Sequence, residues 1–240
     1  MEAESRCETQ KWVDNLVIVR HGESERNVAR SAAVAAGHAE YGGEVRDVDV
    51  VLTDRGIRQS ELTGQELARR FRFDRAFLSP YERTVQTAEI MLRQFPDGIP
   101  TTIEERIREK EFGIIDGLTA RGIREKYPDE LRRKNLIGKY YYRPPGGESY
   151  PDVSLRLHSF LGTLTRDFRR SSVLLVCHSV IVLTFRRLLE RLSESELLAI
   201  DSDRTQEVRN CGVTWYEFDR SAGSGGKLVL REFNRVYYPD

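Results

Sequence analysis

The feature that most constrains the fold is a run of four branched apolar residues, Leu-Val-Ile-Val at positions 16–19, followed directly by Arg20, His21 and Gly22. Such an unbroken run is typical of a strand that is covered on both faces in a parallel sheet. A second run of this kind, at residues 173–177, is also followed by a histidine, His178. Ligands of α/β sheets lie outside the carboxyl ends of the strands, so both histidines are predicted to lie at a ligand site.

The rest of the chain alternates between strand and helix patterns. Residues 75–79 are predicted to form another strand, and residues 214–219 and 227–233 flank a glycine-rich turn as a hairpin or edge pair. This alternation predicts an α/β sandwich with a mostly parallel central sheet. Apolar residues recur at helical spacing in four segments: 54–71, 82–95, 154–168 and 180–192.

Composition limits the class of protein. The 240 residues, 39% of them hydrophobic, are enough for one domain, predicted at 15–240 after a flexible tail at 1–14. Lys and Arg number 38, as do Asp and Glu, so no global charge attracts nucleic acid or an anionic membrane. The three cysteines, Cys7, Cys177 and Cys211, are too few for a disulfide framework, and no apolar run is long enough to cross a bilayer. We therefore expect a cytoplasmic protein.

Two stretches interrupt the alternation, at residues 29–50 and 119–148, and the second is locally basic. Insertions near the carboxyl ends of strands often act as lids over a ligand. We therefore expect the substrate to bind beneath them. The basic residues of the second stretch also fit a solvated helix face, because acidic residues lie between them.

The Arg20–His21 pair suits attack by nitrogen on phosphorus. A cation beside an imidazole disfavours its protonation, and the guanidinium fork matches the oxygens of a phosphate. The alternative is that His21 is a buried structural histidine at the end of a strand. The same alternative applies to His178.

The motifs at residues 20–24 with Asn27, at 79–88, at 108–113 and at 177–178 together resemble the histidine phosphatase superfamily, also called the phosphoglycerate mutase-like family. Residues 125–130 and 140–153 are most similar to its fructose-2,6-bisphosphatase branch. The resemblance implies a three-layer sandwich in which helices flank the sheet. It also implies a phosphohistidine intermediate, with neither a metal nor another cofactor.

The resemblance assigns roles to individual residues. His21 would be the nucleophile, with Arg20, Arg83 and a charged His178 lowering its pKa and binding the phosphate. Glu109 would protonate the leaving group and then activate water. The residues implied to contact the substrate are Ser24, Asn27, Tyr127, Arg143 and Ser179.

Three positions depart from the bisphosphatase pattern, because Ser179, Leu183 and Gly146 stand where that branch has glutamine, arginine and lysine. A site for a second phosphate would lose charge-assisted hydrogen bonds there. The expected activity is therefore a metal-independent phosphomonoesterase acting on a small phosphorylated substrate such as a sugar phosphate. The alternatives are a phosphoglycerate mutase and a non-catalytic phosphate-binding module. The sequence gives no indication of the oligomeric state.

Overall fold

A computed structural model describes residues 10–43 and 45–239. The chain builds one six-stranded sheet with the strand order β3-β2-β4-β1-β5-β6. The strands are β1 (Asn15–Arg20), β2 (Arg75–Leu78), β3 (Thr101–Ile103), β4 (Ser172–Cys177), β5 (Val213–Asp219) and β6 (Lys227–Arg235).

Helices cover the sheet on both faces. Short 3-10 helices lie at Asp47–Asp49, Glu105–Ile107, Gly113–Ile115 and Arg204–Gln206. The α-helices are α1 (Glu25–Ala35), α2 (Asp54–Arg70), α3 (Glu82–Leu92), α4 (Ala120–Lys126), α5 (Pro128–Ile137), α6 (Tyr150–Asp167), α7 (Ser179–Glu190) and α8 (Glu194–Ser202). None of these helices of the described chain is both long and apolar enough to cross a membrane.

The sheet is mostly parallel, as the sequence predicts. Strand β4 pairs in parallel with both β1 and β2, and β3 pairs in parallel with β2. Only β5 runs the other way, because it pairs antiparallel with β1 and with β6. The predicted hairpin is therefore confirmed, and the carboxyl ends of β1 to β4 lie at one edge of the sheet.

Alternation along the strands divides the core between the two faces. Leu16 and Ile18 pack with residues of α6 and α7, including Phe160. Val17 and Val19 pack on the other side with residues of α2 and α3, including Met91. Successive strand side chains point to opposite faces, so each apolar strand is buried on both sides. This gives the expected three layers.

Some boundaries differ from the sequence pattern. Helix α6 begins at Tyr150 rather than at 154, because Ser149 caps it and Asp152 completes a capping box. Strand β3 was not predicted, since its three residues are all exposed and carry no buried pattern. Helix α8 also went unpredicted, because it buries only Leu197.

The predicted tail at 1–14 is wrong for the part that the structure describes. Val13 is fully buried in the core, Trp12 packs against it, and the backbone N–H of Asp14 donates to Ser171 O at 2.9 Å. Burial of apolar side chains and a backbone hydrogen bond to the residue before β4 hold these residues on the domain. The remainder of that tail, residues 1–9 with Cys7, lies outside the described residues.

The two predicted insertions lie against each other. The backbone N–H of Thr119 donates to Ala39 O at 2.9 Å, and the segment just before the second insertion extends the contact, since the N–H groups of Tyr41 and Gly42 both donate to Gly117 O, at 2.8 and 3.2 Å. We call residues 36–43, 45–50 and 113–119 the cover. The described residues of the first insertion outside the cover belong to α1, and the second insertion contains α4 and α5.

Candidate active site

Each of the four parallel strands delivers one part of a buried polar cluster. His21 follows β1, His178 follows β4, Ser79 follows β2, and Glu109 lies six residues beyond β3. The backbone N–H of His21 donates to Cys177 O at 2.9 Å, which joins the ends of β1 and β4. As a result the rings of His21 and His178 lie edge to face, with their centroids 5.3 Å apart.

The His21 ring is held in one orientation. Its Nδ1 lies 2.7 Å from Gly22 O, and a carbonyl oxygen can only accept, so Nδ1 carries the proton. Nε2 therefore keeps its lone pair. Burial, followed by repulsion from Arg83 and Arg20, holds the pKa of His21 well below its usual range. The result is a neutral imidazole whose nucleophilic nitrogen is Nε2.

A glycine turn after His21 makes this placement possible. A Cβ atom on Gly22 would lie 2.6 Å from Gly56 O, and one on Gly56 would lie 2.0 Å from Glu23 O. The two backbones can approach only because both residues lack side chains. Gly22 is further anchored by its N–H, which donates to Thr87 Oγ1 at 3.0 Å.

Two arginines supply the positive charge of the site. Arg20 donates from Nη1 to Val208 O, while its buried Nε has no hydrogen-bond partner among the described residues. Burial lowers the pKa of Arg20. Arg83, in the first turn of α3, is buried and bonds to Asp47 of the cover. A buried guanidinium with a free N–H is a ready partner for a phosphate oxygen.

The structure shows a factor that opposes the charged form of His178 expected from the sequence. Its ring is fully buried, and burial, followed by repulsion from Arg83, holds its pKa well below the ordinary value. Its Nε2 lies 2.7 Å from Ser79 Oγ, and its Nδ1 has no partner in the described part of the chain. An anion bound beside it would favour the protonated form.

Glu109 is distinguished from the other acidic residues nearby by its burial. It is 8% exposed, and burial raises the pKa of its carboxyl group. The Lys110 N–H donates to Glu109 Oε1 at 2.8 Å, so the other oxygen is available for a proton. Arg156 of α6 donates to the backbone oxygens of Arg106, Arg108 and Glu109 and thereby fixes this segment.

The predicted neutral donors have different environments. Ser24 is fully buried as the N-cap of α1, and its hydroxyl is engaged with Asn27. Asn27 Oδ1 also accepts from Asn210 Nδ2 at 3.1 Å, while its own amide nitrogen makes no hydrogen bond to a described residue. Ser179 is the first residue of α7, a helix without a side-chain N-cap. Its free first-turn N–H groups favour an anion.

The structure does not join Tyr127 and Arg143 to this cluster by any contact among the described residues. Tyr127 lies between α4 and α5, and its hydroxyl makes no hydrogen bond within the described chain. Arg143 is exposed and pairs through its Nε with Asp152 Oδ2 at 2.7 Å.

Several site residues were missed by the sequence reasoning. Asp47, Asn210 and Arg156 have no motif that marks them, because only the fold brings them to the site. Ser79 and Lys110 lie inside motifs already singled out, so their positions were a usable signal. Lys110 is 8% exposed without an ion pair to a described residue, and burial lowers the pKa of its ammonium group to about 8.

A neutral imidazole with a free nitrogen, one buried and one half-buried guanidinium group and a buried carboxyl group are the components of phosphoryl transfer through histidine. A comparison with family profiles agrees with this class. The profile of the histidine phosphatase superfamily (branch 1) matches residues 16–229. The chain therefore belongs to the histidine phosphatase superfamily, whose members are phosphoglycerate mutase-like.

Similar proteins carry both mutase and phosphatase names. A 2,3-bisphosphoglycerate-dependent phosphoglycerate mutase from Rhizobium etli is 32% identical over 200 residues, which cover 79% of this chain and 87% of that protein. The 6-phosphofructo-2-kinase/fructose-2,6-bisphosphatase of Gallus gallus is 28% identical over 168 residues, 70% of this chain and 31% of that protein.

The solved structures show the shared fold. A mycobacterial glucosyl-3-phosphoglycerate phosphatase superposes with a TM-score of 0.70 at 22% identity and covers 92% of this chain and 99% of its own. The alpha-ribazole phosphatase from Shigella flexneri gives a TM-score of 0.70 at 22% identity, with 92% and 96% covered.

Proposed function

We propose that the protein is a phosphomonoesterase that transfers phosphate to His21 and then to water. The observation that carries the proposal is the neutral His21 ring, whose Nδ1 is bound to Gly22 O while Nε2 remains free. A protonated ring could not attack phosphorus, and a freely rotating ring would spend little time aligned. The superfamily membership supports the same chemistry.

In the first step, His21 Nε2 forms a bond to phosphorus as the bond to the ester oxygen breaks. Arg20 and Arg83 stabilise the charge on the equatorial oxygens, and they do so without reorganising because they are already held in place. Glu109, whose raised pKa keeps it protonated to a higher pH, gives its proton to the leaving alkoxide. The products are the alcohol and phosphohistidine.

In the second step, water attacks the phosphohistidine. Glu109 is now ionised and accepts a proton from that water, while the N–P bond breaks and His21 leaves as a neutral ring. One carboxyl group serves both steps. The His178 ring lies beside the attacking ring, and the first turn of α7, which follows it, adds positive potential for the phosphate.

The second candidate is a phosphoglycerate mutase, and the names of relatives such as the Rhizobium etli protein favour it. A mutase uses the same histidine but must keep water away from the phosphohistidine. The phosphatase names among the structural neighbours favour hydrolysis. We propose a small phosphomonoester such as a sugar phosphate as substrate, with Tyr127 and Arg143 as further contacts and the cytoplasm as the place of action.

The experiment that tests the proposal compares two assays on the purified protein in the presence of a chelator. One measures inorganic phosphate released from a panel of phosphomonoesters, and the other measures conversion of 3-phosphoglycerate to its isomer. We expect phosphate release that does not need a metal, together with a phosphohistidine that can be trapped by rapid quenching. Isomerisation faster than hydrolysis would establish the mutase instead, and phosphate binding without turnover would establish a binding module.

A further inference from the structure

Asp47 occupies one edge of the Arg83 guanidinium group and leaves a second edge available. Its Nη1 donates to Asp47 O at 2.6 Å and to Asp47 Oδ1 at 3.0 Å, and its Nη2 donates to Asp47 Oδ2 at 3.1 Å. A guanidinium has five N–H donors in one plane. Asp47 therefore takes three of them, which include the whole end-on edge formed by Nη1 and Nη2.

Two donors of Arg83 remain, the Nε–H and the outer Nη2–H. Both lie in the guanidinium plane and point in the same direction. No described residue accepts a hydrogen bond from Nε. This side-on edge has the spacing that binds two oxygens of one phosphate. Any phosphate bound by Arg83 while Asp47 stays in place must therefore use the side-on edge.

The guanidinium cannot easily turn to offer another edge. Arg83 is only 4% exposed, and its guanidinium carbon lies 4.7 Å from the centre of the Tyr81 ring. Its charge also contributes to the lowered pKa of both His21 and His178. The orientation set by Asp47 is therefore the orientation that the phosphate meets.

We propose that Asp47 is a positioning residue for the reaction put forward under Proposed function, on which this inference rests. Asp47 holds the end-on edge of Arg83 so that the side-on edge is presented to the phosphoryl group during transfer. Fixed donors aimed at developing charge stabilise a transition state more than donors that must reorient. Removing the carboxylate should therefore slow the chemical step more than it weakens ground-state binding.

The same carboxylate connects the phosphate site to the cover. Asp47 Oδ1 lies 3.2 Å from Arg26 Nε, and Arg26 Nη2 lies 2.6 Å from Asp116 Oδ2 in the other half of the cover. Arg83 is therefore linked through Asp47 and Arg26 to both parts of the cover. The geometry assigns the cover a part in orienting the catalytic arginine.

The test begins with Asp47→Asn. The carboxylate of Asp47 accepts from both Nη1 and Nη2 of Arg83. The amide nitrogen of asparagine can only donate, so one of these two N–H groups would face another donor and lose its hydrogen bond. We expect kcat to fall about 10- to 100-fold, somewhat less than the roughly 10²- to 10³-fold for outright loss of one fixed donor because Arg83 itself remains, and KM to change less. The matched control is Asp49→Asn, two residues along the same 3-10 helix, because the ion pair of Asp49 within the described chain is with the exposed Arg46. The control should keep kcat within about 2-fold of the wild type, as exposed ion pairs contribute little.

A mutant cycle separates positioning from a general effect on the fold. Lysine has no fork to orient, so in the Arg83→Lys background Asp47→Asn should cost less than about 3-fold. Equal losses in both backgrounds would overturn the proposal, as would wild-type kcat in a folded Asp47→Asn protein. If Asp47→Asn does not fold, Asp47→Glu keeps the charge but displaces it, and unchanged kcat in that variant would overturn the proposal equally.

Binding of inorganic phosphate, measured by calorimetry, separates this proposal from the proposed function. If the wild type binds phosphate but releases none from esters, the proposed function fails while Asp47 can still be tested. In that case Asp47→Asn should weaken phosphate binding several-fold and Asp49→Asn should not. Identical phosphate affinity in the wild type and both variants would refute the role of Asp47.

Discussion

Replacing Glu109 with glutamine tests the acid–base step most directly. Glutamine has nearly the same shape, and its Oε1 can still accept the 2.8 Å hydrogen bond from the Lys110 N–H. What disappears is the proton on the buried carboxyl group. The folded state should therefore be almost unchanged, while the leaving group loses its acid.

The expected loss depends on the leaving group. A positioned general acid contributes about 10²- to 10⁴-fold, which corresponds to about 3 to 5 kcal/mol of transition-state stabilisation. Alkyl phosphates have a basic leaving oxygen and should lose this full factor in the rate of phosphohistidine formation. p-Nitrophenyl phosphate leaves as a stable anion without a proton, so its first step should slow by less than about 10-fold.

Rapid-quench measurements of a single turnover give both rates. With p-nitrophenyl phosphate, Glu109→Gln should release a burst of nitrophenolate and accumulate phosphohistidine, because the second step still lacks its base. The matched control is Glu111→Gln, two residues along, since Glu111 is exposed. An equal slowing of the first step for alkyl and aryl esters would refute the assignment of Glu109 as the acid.

Four further outcomes are expected. His21→Ala should abolish phosphate release while circular dichroism shows that the protein stays folded, and residual turnover would contradict the role of His21. Arg143→Ala should chiefly raise KM, and a lower kcat at unchanged KM would contradict the role of Arg143. Gly56→Ala places a Cβ 2.0 Å from a backbone oxygen and should lower the free energy of unfolding by about 1–3 kcal/mol or more, whereas Gly162→Ala, which meets nothing within 4 Å, should not. Because burial depresses the pKa of His21 and His178, the unfolded chain takes up protons first as pH falls below about 6.5. The melting temperature should therefore drop between pH 7 and 5, and a His178→Gln variant should show a smaller drop.

Much of the fold could be predicted because its information is local. The runs at 16–19 and 173–177 are apolar without a break, which only a strand buried on both faces requires, and the structure makes them the adjacent central strands β1 and β4. Helix α2 was likewise visible from its periodicity, and the structure adds Thr53 as its N-cap. The tail prediction failed at Val13 because a single apolar residue has no period, so its burial could not be seen locally.

The catalytic candidates were visible to different degrees. Arg20 and His21 stand together in a motif at the end of a strand, and with the three other motifs this indicated chemistry. Glu109 stands among other acidic residues, and only burial, which depends on residues far along the chain, separates it from them. The burial that opposes a charged His178 was invisible for the same reason, since desolvation is a property of the folded interior.

By itself, then, the order of amino acids determined five of the six strands, four of the eight α-helices of the described chain and the candidate nucleophile, because hydrophobic period and contiguous motifs need no distant partner. Parallel pairing decided that the rings of two residues far apart in the chain, His21 and His178, lie 5.3 Å apart. The hydrogen bond between Arg83 and Asp47 also depends on the tertiary structure, because the sequence around either residue does not indicate the other. Contacts and desolvation arise only when distant segments pack, so the electrostatics of the site belong to the tertiary structure.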